Sequence, residues 1–313
     1  MIPAGALNTV ALNSDTRYGA NLLQQARQWP RVRQAAQLLG VIAGLMVGAA
    51  PVANAALGLK VSSWQSSSNS NQMKAATAIC PLGTLLFSGG ASISGGNGQV
   101  VLKAIIPEIG TPSRIIAIAV EDQTGTNANW SLSAYAICGN YAVVPVAAHT
   151  ASNSVSPKST TATCPTGKRV VGASAAVFSG GGQVLLDDFI PNSTLTAVTA
   201  KAYEDGNGYS ANWDLIAYAM CADFAFPGLE RRSADSSAGK NSQSPKTAMV
   251  GCSSSGKRVI GLGTAVDDGF GQVLIDDALP NSSLTQVTVR AYEDETGHSQ
   301  SWDILAYVIC ALP

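Results

Sequence analysis

Apolar and polar positions alternate along most of the chain beyond residue 55. From Leu195 to Tyr203, Val198, Ala200 and Ala202 fall on one side while Thr199, Lys201 and Tyr203 fall on the other, the period of a half-buried strand. Trp213 to Cys221 alternates again, placing Trp213, Leu215, Ala217 and Ala219 on the face that carries Cys221. Lys168 to Val177, after Gly167, and Gln183 to Ile190, between Gly182 and Pro191, are Val-rich and Leu-rich runs bounded by turn residues, and both read as strands. With Ser159 to Cys164 in front of them, the pattern predicts a five-strand unit. No stretch after the first 55 residues carries a helical period.

The unit is written three times, bracketed by Cys80 and Cys138, Cys164 and Cys221, and Cys252 and Cys310. Three tails align on the last cysteine: Val120-Glu121-Asp122 to Trp130, Tyr203-Glu204-Asp205 to Trp213, and Tyr292-Glu293-Asp294 to Trp302. Gly98-Gln99-Val100 precedes Pro107 at the same spacing that separates Gly182-Gln183-Val184 from Pro191 and Gly271-Gln272-Val273 from Pro280. Self-similarity of this kind marks one structural unit per copy. The glycine suits a tight turn before a strand, and the proline, which has no N–H to donate, ends that strand. Ala148 to Ser156 and Ser233 to Ser244 are polar and turn-rich and read as linkers; Tyr141 to Pro145 and Phe224 to Pro227 are apolar pieces expected to dock on a domain. The expected division is a leader at 1–55 and repeats at 56–147, 148–232 and 233–313.

Charge narrows the functional field. Only 12% of residues are charged and the formal net charge is -1, so the clustered Lys and Arg that a phosphate backbone requires are missing and nucleic acid is not an expected partner. The first 55 residues have the plan of an export signal: Arg27, Arg31 and Arg33, then the apolar run Leu38 to Ala50, then the small-residue site Ala53-Asn54-Ala55. That run is shorter than the roughly 18 to 20 residues of a membrane span, so no stable span is expected after processing. All six cysteines occupy the same two places of the three repeats. An oxidised, extracellular protein is expected, with bridges Cys80–Cys138, Cys164–Cys221 and Cys252–Cys310.

Several side chains are candidates for chemistry. The pairs Glu121-Asp122, Glu204-Asp205 and Glu293-Asp294 stand where a strand runs into a polar loop and could bind sugar hydroxyls or a hard cation; alternatively they cap their own Gly-containing turns. Asp187-Asp188 and Asp276-Asp277 form a second acidic pair, replaced by Lys103-Ala104 in the first copy, and are candidates for calcium; no other cofactor is expected. Strict alternation would allow at most one member of each of those pairs into a common site. Trp130, Trp213 and Trp302 share a face with the cysteines and read as core. Tyr135, Tyr218 and Tyr307 fall on the opposite face and are the better exposed contacts, which adds them to the ligand-binding candidates. Catalysis is not expected: the only histidines are His149 and His298, so no repeat holds a nucleophile, His and acid set.

The motifs Cys164-Pro165-x-Gly167-Lys168-Arg169-Val170, Gly182-Gln183-Val184, Ala202-Tyr203-Glu204-Asp205 and Ala217-Tyr218-Ala219-Met220-Cys221 resemble secreted triple-repeat proteins of actinobacteria and related bacteria that generally carry no assigned function. The resemblance covers nearly the whole chain after the leader and implies a bacterial extracellular protein; the first copy departs from it at Leu85-Leu86-Phe87. The Cys-Pro-x-Gly openings and threefold repetition are also similar to the vitelline membrane outer layer protein, a β-prism. The expected architecture is all-β: three tandem small antiparallel β-sandwich repeats, each closed by one disulfide, with a single pseudo-threefold β-prism as the alternative. The expected function is a secreted multivalent binding or cell-surface module recognising carbohydrate or another surface ligand; the alternative is a structural matrix, sheath or spore-surface protein.

Overall fold

The computed structural model describes residues 57–223 and 226–313, so the leader lies outside the described residues. Each repeat supplies six strands. The first gives β1 (Lys60–Gln65), β2 (Met73–Ile79), β3 (Leu85–Ser94), β4 (Val100–Glu108), β5 (Arg114–Glu121) and β6 (Ser131–Gly139). The second gives β7 (Val144–His149), β8 (Lys158–Thr163), β9 (Lys168–Phe178), β10 (Val184–Pro191), β11 (Ala197–Glu204) and β12 (Asp214–Asp223). The third gives β13 (Glu230–Asp235), β14 (Lys246–Gly251), β15 (Arg258–Asp267), β16 (Val273–Pro280), β17 (Gln286–Glu293) and β18 (Asp303–Ala311). All five strands expected in the second unit are present as β8 to β12, within one or two residues of the expected boundaries. In the second and third repeats the sixth strand, β7 or β13, overlaps the segments read as apolar pieces and linkers, and in the first repeat it is β1, ahead of the first cysteine. β7 pairs with β12 and β13 with β18, so β7 belongs with the second repeat, upstream of the boundary expected at 148.

The strands form three six-stranded antiparallel sheets, and each sheet is shared by two repeats. Sheet I is β2-β5-β4-β9-β12-β7, from repeats one and two. Sheet II is β13-β18-β15-β10-β11-β8, from repeats three and two. Sheet III is β1-β6-β3-β16-β17-β14, from repeats one and three. Every repeat therefore contributes two three-stranded layers, as a small sandwich would, but each layer is completed by a layer of its neighbour. The cycle closes after three steps into a three-sided prism around a pseudo-threefold axis. One continuous apolar core, drawn from all three sheets, fills the interior.

The disulfides are internal to their repeats and join different sheets. Cys80–Cys138 ties sheet I to sheet III, Cys164–Cys221 ties II to I, and Cys252–Cys310 ties III to II. The half-sheets within one sheet meet over a very short ladder: Ala104 opposite Ala176, Asp188 and Phe189 opposite Ala265 and Thr264, and Asp277 and Ala278 opposite Ser92 and Ala91. Beyond those few residues the strands of two repeats diverge, and each junction can hold a groove on the outer surface.

The motifs that recur in sequence are the ones that close the cycle. Asp122 N–H donates to Gln99 O, Asp205 N–H to Gln183 O and Asp294 N–H to Gln272 O, at 2.9–3.0 Å, inside each repeat. The preceding glycine packs on the next repeat: a Cβ on Gly98 would lie 2.4 Å from Glu293 O, one on Gly182 2.3 Å from Glu121 O, and one on Gly271 2.1 Å from Glu204 O. Gly-Gln-Val and Glu-Asp are thus two halves of one inter-repeat contact, which is why both are written three times. At the other end the apolar connector contributes Phe226, whose ring lies 5.9 Å from that of Phe87 and 5.0 Å from that of Tyr141.

Candidate functional site

Each tryptophan is the centre of a repeated node. Trp130, Trp213 and Trp302 are 0% exposed, as the shared face with cysteine predicts. Their indole N–H groups donate to Glu121, Glu204 and Glu293 Oε1 at 2.8, 2.7 and 2.8 Å. Lys74, Lys158 and Lys246 lie over the three rings at 4.4, 4.7 and 4.7 Å from the centroids. Their ammonium groups also donate to the turn before the second strand, at Asn69, Ala151 and Gly239 carbonyls among others. The sequence analysis did not single out the three lysines; their signal is the Ser-Pro-Lys that follows directly on each linker, Ser156-Pro157-Lys158 and Ser244-Pro245-Lys246.

The Glu-Asp pairs are correspondingly committed to structure. Asp122 Oδ1 accepts from Thr124 and Gly125 N–H, Asp205 Oδ1 from Asn207 and Gly208, and Asp294 Oδ1 from Thr296 and Gly297. As ligand-binding candidates Glu121, Glu204 and Glu293 are corrected: each carboxylate is used by the indole of its own repeat. The three turns approach each other at one end of the prism, where Gln123 Nε2 donates to Glu295 Oε1 across repeats at 3.2 Å. There burial, then Asp122 and Asp294, push the Glu295 carboxyl up to about 7.

The second acidic pair behaves differently from strict alternation. The ladder between β10 and β11 skips one residue between Leu186 and Asp188, and that between β16 and β17 skips one between Ile275 and Asp277. Asp187 and Asp276 are the extra residues of β-bulges, which rotate the strand so that both members of each pair turn outward. The expectation that only one of each pair could reach a common site is therefore overturned: Asp187 and Asp188 line one cleft together, and Asp276 and Asp277 line another.

The larger cleft, about 710 Å³, sits on the outer face of sheet II at the junction of repeats two and three. Asp187 and Asp188 come from β10, Lys201 and Tyr203 from β11, Tyr307 and Leu305 from β18, and Asp267, Asp268 and Phe270 from the end of β15 and the loop after it. Lys240 bridges Asp267 and Asp268 at 2.8 and 2.5 Å. The Lys201 ammonium lies 4.5 Å from the centroid of the Tyr203 ring, the Arg231 guanidinium 4.4 Å from that of Tyr307, and the half-exposed Phe270 meets Tyr203 edge-on at 6.3 Å. Burial pushes the Asp188 carboxyl up to about 6 against the pull of Lys201, and burial plus the neighbouring Asp188 hold Asp187 well above the usual range. The Oδ1 atom of Asp188 is buried without a hydrogen-bond partner.

The smaller cleft, about 210 Å³, occupies the equivalent junction of sheet III, between Asp276, Asp277, Arg290, Tyr292 and the segment Ser92 to Asn97. Here too the Oδ1 atom at the second position of the pair, Asp277, has no hydrogen-bond partner. Burial, then Asp277, push Asp276 up to about 8. At the third junction, in sheet I, Lys103 replaces the bulged aspartate. It is buried, donates to Val184 O at 2.8 Å and is pulled down to about 7 by that burial. Among the described residues, no three or more His, Cys, Asp or Glu side chains are grouped to hold a metal.

The tyrosines, equivalent in register, have three different fates. Tyr307 lines the large cleft, and Tyr135 is half-buried on sheet III. Tyr218, expected to be exposed, is 3% exposed and packs with Phe178 and Ile216 on sheet I. The correction has a simple cause: Phe178 occupies the place held by Asp267 in sheet II and Ser94 in sheet III.

The raised pKa of Asp276 gives a test of the bulges as sites rather than supports. A carboxyl held at about 8 in the fold against an ordinary value near 4 keeps its proton in the folded chain while the unfolded chain loses it, so its contribution to stability falls as pH rises from about 4 to 8. Asp276→Asn is expected to raise the melting temperature at pH 8 by on the order of 5 °C, with the difference vanishing near pH 4. Melting curves of both proteins across that range check it; a variant no more stable at pH 8 contradicts the assignment. No protein-family model and no curated protein matches the chain.

Proposed function

We propose that the protein is an exported binding protein that recognises carbohydrate through the cleft of sheet II, with the smaller cleft of sheet III as a second, non-equivalent site. The observation that carries this reading is the cleft wall itself, where the paired carboxyls Asp187 and Asp188 stand beside the rings of Tyr203, Tyr307 and Phe270 in one groove, with Asp276 and Asp277 at the equivalent place of the other. A carboxylate at the wall of a groove is a strong acceptor for a sugar hydroxyl. Tyr203, Tyr307 and Phe270 add aromatic surface for the apolar face of a sugar ring. Two clefts on one rigid body, rather than three identical ones, give the multivalence, and linked weak sites gain apparent affinity from effective concentration.

Three disulfides are consistent with an oxidising compartment, and among the described residues no helix is long and apolar enough to cross a membrane. The histidines support no hydrolytic set. His298 Nε2 contacts Asp268 O at 2.8 Å beside the large cleft, which fixes the loop.

On a glycan array the protein is expected to give a defined binding pattern that Asp188→Asn and Tyr307→Ala weaken at least about tenfold, the loss of one charge-assisted hydrogen bond or one stacking surface. Asp277→Asn should weaken only a subset. An array with no signal, or signals that both cleft variants leave untouched, overturns the reading.

A further inference from the structure

The two outward grooves share a floor and differ at the rim. In sheet II Asp188 stands opposite Lys201 and Leu185 opposite Tyr203; in sheet III Asp277 stands opposite Arg290 and Leu274 opposite Tyr292. Carboxyl, cation and phenol therefore recur at matching register, and in both sheets they line the groove. At the same places sheet I has Ala104 opposite Ile118 and Val101 opposite Val120, so that floor is lost there.

The rim comes from the loop that leads out of β3, β9 or β15 into the Gly-Gln-Val motif. The residue just before the motif is Asn97, Gly181 and Phe270 in the three repeats. The backbone is alike in all three, with φ of +48°, +50° and +44°. Glycine adopts this left-handed conformation freely and asparagine is enriched in it, but a bulky aromatic residue there is an outlier. A Cβ at Gly181 would meet nothing within 4 Å, so in the second repeat the position opens outward and needs no side chain. Phe270 fills the same position with a ring and stands 50% exposed. That ring is held from two sides. Tyr203 meets it edge-on at 6.3 Å and His298 at 6.5 Å, and His298 Nε2 in turn contacts Asp268 O at 2.8 Å. Core packing does not account for a strained residue whose apolar side chain is half in water, and strain kept at the lip of a groove points to function.

We propose that this rim position sets what each groove accepts: Phe270 commits the sheet II groove to a pyranose that presents its apolar C–H face, and Asn97 commits the sheet III groove to a saccharide held at the rim by hydrogen bonds. The assignment rests on the carbohydrate reading above and adds the residue that makes the two grooves non-equivalent. An aromatic ring and a carboxyl pair in one groove match the two kinds of surface a sugar ring offers, C–H groups and hydroxyls. With asparagine at the rim the same floor offers only hydrogen bonds at that edge, in a groove of about 210 Å³ against about 710 Å³.

The test reads a glycan array and melting curves of the full chain. Signals that Asp188→Asn weakens report the sheet II groove, and those that Asp277→Asn weakens report that of sheet III. Phe270→Asn should weaken the first set about tenfold and leave the second unchanged, and Phe270→Tyr, which keeps a ring, should recover most of that loss. Asn97→Gly, which the left-handed backbone accepts, should weaken the second set alone. Phe270→Asn should also melt within about 2 °C of the parent, because relief of the left-handed strain offsets the half-burial lost. Sheet II signals that survive Phe270→Asn, or sheet III signals that survive Asn97→Gly, overturn the assignment. So does a larger fall in melting temperature, which would make the ring a support for its loop. In each of those cases signals that still depend on Asp188 leave the carbohydrate reading standing, whereas an array silent for the parent chain removes both.

Discussion

Gly261→Ala is expected to prevent formation of the native protein. A Cβ at Gly261 would stand 2.1 Å from Val171 O and 2.9 Å from its carbonyl carbon, and one at Gly172 would stand 2.2 Å from Phe87 O. These contacts run between the central strands of different repeats, where β9, β15 and β3 approach one another around the axis. The obstacle in each case is backbone, which cannot rotate aside. An overpacked core costs about 1 to 3 kcal/mol when side chains can yield, and a clash with main chain exceeds that, on the order of 5 kcal/mol or more. The third position around the axis is Ser88, 2% exposed with its hydroxyl unpartnered, so the ring tolerates a side chain at one place and not at the other two. Were the repeats independent beads, the same change in a strand would be neutral or stabilising by up to about 1 kcal/mol, because alanine restricts the unfolded chain. The sign of the effect therefore separates the two architectures. Denaturant unfolding of Gly261→Ala, with Gly256→Ala as a permissive control whose Cβ meets nothing nearer than 3.6 Å, checks it.

The second repeat expressed alone, residues 140–226, is expected to show no cooperative melting. Isolating it strips β4 from β9 and β15 from β10, and uncovers the inward faces of two half-sheets whose partners come from the other repeats. Its disulfide remains, and a bridge closing a loop of this size contributes roughly 4 kcal/mol in the chain-entropy model. That cannot replace a core: a unit of this size already buries too small a fraction of its surface. Circular dichroism on heating, with the Cys164–Cys221 bridge verified by peptide mapping, reads the outcome. A sharp transition in the excised repeat would mean that sheet sharing adds little, and the closed prism would lose its energetic basis.

Both expectations rest on contacts that the sequence expresses only indirectly. Its alternation located β8 to β12 and their counterparts to within one or two residues, and the position of Trp213 relative to Cys221 placed the indole in the core. It did not reveal the bulges. One extra residue leaves the apolar-rich run of Leu185 to Ile190 reading as an ordinary strand, yet it decides that Asp187 and Asp188 share a cleft. Nor did it separate Tyr218 from Tyr307. The two occupy the same register, and their burial is set by what stands on neighbouring strands: Phe178 on one sheet and Asp267 on the other. The linkers were misread for a related reason: Val144 to His149 and Glu230 to Asp235 are edge strands whose partners lie some seventy residues away, and a polar edge has little apolar pattern to announce it.

What the sequence determined by itself is everything carried by short-range periodicity and by repetition: strands, three copies, one sulfur bridge in each, a buried indole. The tertiary structure alone decided which copy each half-sheet joins, where the outward grooves open, and which of three equivalent surfaces is polar. Backbone pairing between repeats uses N–H and C=O groups common to every residue, so the letters of the chain can favour a strand without naming its partner, and the partner is chosen only when all three copies close on one core.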